Sequence, residues 1–201
     1  MSDPIQSLEP RTLFSAVEAL SAINADATAL KAQLKSTAVV YRTETAAVSA
    51  ATRSLPKTAA NRLAIATLKR DQVKLAASSA VAGRELLATS AATDKKYGFD
   101  FLDVYAYPDS AAAKAKLLAD MPAIEAASAG PAAGLMTSVS VGTTTINADL
   151  SALVAANPGN AKMSAAASAA AAESAAVATG VQAGVTQLGT DFAILDADLQ
   201  P

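Results

Sequence analysis

The 201-residue chain contains no cysteine, no histidine and no tryptophan. Those absences remove thiol nucleophiles, disulfide staples, Cys/His zinc sites, imidazole ligation of haem and the commonest general base. Aromatic residues make up only 4% of the chain, and the 52% hydrophobic share is inflated by alanine. A bulky core is therefore out of reach, and small residues must pack along long, closely spaced helices. The net charge of −2 exerts no global pull toward polyanions. Nucleic acid is thus not an expected partner.

What is present is periodicity. Apolar residues recur at three- and four-residue steps through Leu13, Ala16, Leu20, Ile23, Ala27, Leu30, Leu34, Thr37, Tyr41, Val48 and Ala51, with Glu44 the one clear misfit. This spacing predicts a long amphipathic helix with a coiled-coil-like seam. Pro56, in Arg53-Ser-Leu-Pro-Lys57, lacks an amide proton and biases Leu55 away from helix, so the first helix must break there. A second helix is expected from about Lys57 to Thr93, with Ile65, Leu68, Leu75, Ala82 and Leu86 as its seam. Two long helices joined by a short turn predict an antiparallel hairpin.

Five of the eight aromatics fall between Tyr97 and Tyr107, at Tyr97, Phe99, Phe101, Tyr105 and Tyr107. Their odd-numbered spacing predicts an extended segment with one aromatic face. Such a face serves either as a plug over the hairpin or as an anchor for a partner. Asp109 or Ser110 would cap a short helix to Ala127, limited by Pro122, with Ala129-Gly-Pro-Ala-Ala-Gly134 as punctuation. Ser138 to Ile146 alternates around a glycine with β-branched residues and predicts a small β-hairpin. A short helix over 147–156 would end at Asn157-Pro-Gly159.

From Met163 to Thr190 there is a single charged residue, Glu173, among Ala, Ser, Gly, Val and Thr. The stretch is too polar for a membrane span and too uncharged for a solvated helix. It should be enclosed by protein, either within a monomeric bundle or in a self-assembly. In the second case Ala170, Val177, Val181, Gly184 and Leu188 join the aromatic residues as candidate interface. Residues 1–96 carry 13 basic and 8 acidic side chains, and residues 97–201 carry 3 and 10. The two halves attract, closing one subunit or linking neighbours head to tail.

The expected fold is mainly α: a long antiparallel helical hairpin over 13–96, a long Ala-rich helix over 159–201, and between them an irregular or β insertion over 97–158. Residues 1–12 form a separate leading segment. No constellation for catalysis is evident, and no cofactor or metal is expected. Asp94, Asp100, Asp103 and Asp109 match no calcium-loop spacing. Gly159-Asn-Ala-Lys162 lacks the glycine spacing and the hydroxyl residue of a phosphate-binding loop. The serines of the Ala-rich helix have no base to activate them.

Near the start stands Leu8-Glu-Pro-Arg-Thr-Leu-Phe-Ser-Ala16. Locally it reads as a first helical turn, with Pro10 well placed. The string also resembles the N-terminal L-E-P-R-x-L-L-S-A signature of surface and secreted proteins of planctomycete-type bacteria, carried here by Leu8, Glu9, Pro10, Arg11, Leu13 and Phe14. Phe14 stands where leucine is commoner, and the segment that follows lacks the unbroken apolar core of a secretory signal. The resemblance implies an extracellular or cell-surface address. Together these features lead us to expect a non-enzymatic, self-assembling structural protein, a subunit of a filament or layer. A phasin-like coat on an intracellular lipid or polymer surface and a glycan-binding module are the alternatives.

Overall fold

The computed structural model describes residues 9–200, with side chains from residue 16 onward. Four helices follow one another: α1 Glu9–Thr52, α2 Ala59–Ala106, α3 Ala111–Ala156 and α4 Ala161–Leu199. Among the described residues there is no strand. Each helix contributes one stretch to each of two compact units. Unit 1 comprises Met1–Lys31, Glu85–Ala132 and Ala183–Pro201, and unit 2 comprises Ala32–Arg84 and Ala133–Gln182.

In unit 1 the core joins Ala16 and Ala19 of α1, Tyr97 and Val104 of α2, Leu117, Met121 and Ile124 of α3, and Leu195 and Leu199 of α4. Leu20, Ile23, Phe101 and Phe192 pack around it. On α3 and α4 these side chains recur at three- and four-residue steps, which places them on one face of a helix. Full burial of a Leu- or Met-sized side chain stabilises by roughly 1.5–3 kcal/mol. The row matters more than any member.

Unit 2 repeats the principle with Val48, Leu68, Leu75, Leu135, Val139, Leu150, Leu153, Met163 and Val181 buried. Two connections lie in this unit and are tied to one another. Asn61 Nδ2 donates to Asn157 Oδ1 (2.9 Å), and Asn157 Nδ2 donates back to Asn61 Oδ1 (3.0 Å). Each amide also donates to a backbone carbonyl, that of Pro56 or Leu153. Buried amides are thereby satisfied rather than left to cost desolvation. Gly159 sits at φ +84°, where a side chain would be strained.

Side-chain oxygens start three of the helices. Thr58 Oγ1 accepts from the Asn61 amide, Ser110 Oγ from that of Ala113, and Asn160 Oδ1 from that of Met163. Each satisfies an amide that has no partner inside its helix.

The middle of the chain corrects the sequence-based expectation. The extended aromatic segment is instead the last turns of α2, which end at Ala106 ahead of the Tyr107-Pro108 pair. The small β-hairpin over Ser138–Ile146 does not form, and those residues lie inside α3. Neither Pro122 nor Pro131 ends that helix. Each removes one backbone hydrogen bond, a loss of about 3 kcal/mol in an isolated helix. Burial around them offsets it: Leu117 and Met121 before Pro122, Ile124 between the two prolines, and Leu135, Val139, Ile146 and Leu150 after Pro131. The β-branched alternation around Gly142 gave way to a heptad-like row, because one continuous helix buries Val139, Thr143 and Ile146 in line with Leu135 and Leu150 and turns Val141 outward.

Gly142 has a packing reason. A Cβ there would lie 2.2 Å from Leu75 Cδ1 and 3.1 Å from Leu75 Cβ. A Cβ at Gly134 would meet nothing within 4 Å. Gly142→Val should therefore destabilise by about 1–3 kcal/mol through overpacking. Gly134→Ala should stabilise by up to about 1 kcal/mol through helix propensity. Urea midpoints of the two variants check this, and a gain for both would contradict the close α2–α3 approach.

Candidate functional site

Two features stand apart from ordinary core packing: an apolar face left uncovered on α2, and a polar layer set into the seam of unit 2. The first falls on the aromatic segment. The helical turn sends Tyr97, Asp100 and Val104 inward, where all three are buried. Phe101 is half-buried and packs on the unit 1 core. Phe99 points away and is 77% exposed, with Leu102, Tyr105 and Tyr107 each more than half exposed. Phe99 and Leu102, and Leu102 and Tyr105, are three residues apart and so adjacent on the helix surface.

Charged groups border this face. Lys96 Nζ lies 4.6 Å from the centre of the Tyr97 ring, a cation–π contact. Lys116 of α3 pairs with the buried carboxylate of Asp100, which fixes this stretch of α2 against α3. The presented side chains therefore stand on an element held from beneath. Aromatic side chains on a firm helix are what partner surfaces use.

The sequence-derived interface residues separate into two groups. Ala170, Val177 and Val181 are buried in unit 2, so their apolar surface is already covered by the chain's own helices. Gly184 and Leu188 are half-buried in unit 1. Of the aromatic set, Phe99, Tyr105 and Tyr107 remain available, and Leu102 joins them although sequence reasoning did not name it. Its place three residues from Phe99 and from Tyr105 was the signal, hidden by reading the segment with a period of two. Of the N-terminal signature, Leu8 lies outside the described residues, and Glu9 to Phe14 are described as the first turns of α1 without side chains.

The polar layer gathers around Glu44, the misfit of the α1 seam, which is only 6% exposed. Ser174 Oγ of α4, fully buried, stands 3.2 and 3.3 Å from the two carboxylate oxygens and can donate to either. One turn earlier, Tyr41 faces Thr143 of α3, and neither buried hydroxyl completes a well-formed hydrogen bond. Burial pushes the Glu44 carboxyl up to about 7, with the Ser174 hydrogen bond acting against the rise and the Glu173 charge adding to it. Burial likewise raises the Tyr41 hydroxyl. In unit 1, Asp191 is 3% exposed and accepts from Gln187 Nε2 at 2.9 Å. The hydrogen bond and charge of Asp191, with burial, raise the Asp26 carboxyl that faces it.

Among the described residues no helix is long and apolar enough to cross a membrane. Among the described residues, too, no group of three or more acidic side chains is placed to hold a metal ion. The fold and these features define a helical bundle with an exposed aromatic cluster at the end of α2. Comparison of the chain with protein-family profiles, with curated proteins and with solved structures finds no match.

A face free for a partner should be expendable for folding. Phe99→Ala should change stability by no more than about 0.5 kcal/mol. Leu117→Ala, at a fully buried site, should cost about 2–5 kcal/mol. Thermal and urea unfolding separate the two, and equal losses would mean that Phe99 is part of the core.

Proposed function

We propose that the chain is a non-enzymatic structural protein that associates with copies of itself, as a subunit of an extracellular or cell-envelope filament or layer. The observation that carries this reading is the uncovered face of Phe99, Leu102 and Tyr105 on a helix fixed by the Asp100–Lys116 pair, with exposed Tyr107 just past its end. Exposed large apolar side chains grouped on one surface favour burial against a partner. The outward positions of α4 add support: from Ala161 to Ile194 they carry only the charges of Lys162 and Glu173. Such a surface permits close approach of another helix without desolvating many charges. The address rests on the likeness of Leu8–Ala16 to the surface-protein signature.

Among the described residues the ion pairs Arg70–Asp71, Lys74–Asp71 and Lys116–Asp100 each join two residues of the same half of the chain, so the apolar face rather than the charge difference supports association. Association through an aromatic face should accordingly hold or strengthen with salt, as burial of apolar surface does. A glycan-binding role is the second reading that the same aromatic face supports, since flat rings can stack on sugars. A phasin-like coat receives less support, because the apolar seams face one another rather than outward.

Combined replacement of Phe99, Leu102 and Tyr105 by serine separates the first two readings. The unsubstituted protein should sediment as species that grow with concentration, and the triple variant as a monomer of unchanged helicity. Unchanged association in the variant would sink the proposal. A monomer in both proteins, with glycan retention lost only in the variant, would favour the second reading.

A further inference from the structure

We propose that unit 2 carries a pH latch: the Glu44 carboxyl, set into the α1 seam, holds the helices together while protonated and loosens them when it gives up the proton. The position lies between buried Tyr41 and Val48, where the helical period requires a side chain turned inward. Inward-turned Glu44 meets a hydroxyl instead of a cation. Ser174 Oγ can accept from the protonated carboxyl or donate to one oxygen of the carboxylate. It therefore serves both states, but it cannot neutralise the charge of the second.

The groups around Glu44 are of the wrong kind to stabilise an anion. On its own helix stands Tyr41, neutral at physiological pH and itself raised by burial and by the nearby Glu44 charge. From α4 come Ser174 and the carboxylate of Glu173, a like charge. From α3 comes Thr143, which faces Tyr41 and carries no charge. α2 brings Leu75 against Gly142 of α3, and none of its charged groups acts on Glu44. An ion buried without a counter-charge costs free energy that a proton removes.

The direction of the pH dependence follows from the raised folded-state value. The unfolded glutamate ionises near 4.5 and the folded one near 7. Within that window the folded state holds a proton that the unfolded state has lost. The latch's contribution is thus fully present below about 4.5 and disappears as pH rises through about 7. Unit 1 repeats the sign, with Asp26 raised by its hydrogen bond to Asp191. Asp149 of unit 2 is raised too, by burial and by Asp71, while Arg70 acts against the rise.

Glu44→Gln keeps the side-chain shape and removes the ionisation. Unfolding of the full chain and of this variant by urea at pH 4.5 and pH 8.5 tests the latch. The ratio of the variant's folding constant to that of the unsubstituted protein should rise on the order of 100-fold between the two pH values. The same ratio at both would overturn the proposal, since the groups that do not interact with Glu44 cancel in the comparison. A carbon-13 titration of the Glu44 carboxyl in the unsubstituted chain gives an independent reading, valid even where the variant fails to fold. A midpoint near 7 supports the latch, and one near the ordinary 4.5 refutes it.

Discussion

The structure depends on one constraint: with few aromatics and much alanine, no side chain buries enough surface to organise the fold alone. Stability has to accumulate along rows, so the helices run to 44, 48, 46 and 39 residues. Small residues let neighbouring helices come close and gather dispersion contacts. Gly142 beneath Leu75 is one instance, and Gly180 beneath Gln33 is another. Because the gain is spread along a row, a local fault such as Pro122 or Pro131 can be carried by its neighbours. The same spreading leaves room for polar residues in the seam.

Those polar residues have different consequences according to what meets them. Asn61 and Asn157 satisfy one another and fix two connections in unit 2. Asp100 meets Lys116, and the pair braces the stretch of α2 that presents the aromatic face. Glu44 meets only hydroxyls and a like charge, so its protonation state becomes part of the packing. Interruptions in an apolar row thus supply register, support and sensitivity to pH, in that order.

Much of the fold was legible, and the illegible part has a physical cause. The α1 seam from Ala16 to Ala51 could be read because its apolar residues repeat over many turns, and the Pro56 break because proline cannot continue a helix. In α3 the local signals pointed elsewhere: two prolines, three glycines at 130, 134 and 142, and the β-branched alternation of 138–146. Only the longer row through Leu117, Met121, Ile124, Leu135, Val139, Ile146, Leu150 and Leu153 reveals the helix, and local propensity masks it. In the aromatic segment Asp100 hid the helical period, since a buried aspartate is foreseeable only with its Lys116 partner in view. Phe99 and Tyr105 were legible as surface candidates. Leu102 was not, nor was the inward turn of Ala170, Val177 and Val181 as core of the chain itself.

The central claim is that the uncovered face of α2 brings copies of the chain together. Sedimentation velocity of the unsubstituted protein over a wide concentration range, at low and high salt, with electron microscopy of the same samples, addresses it most directly. The account predicts species that grow with concentration, persist in high salt and appear as regular fibres or sheets. A compact monomer at every concentration and salt level would contradict it.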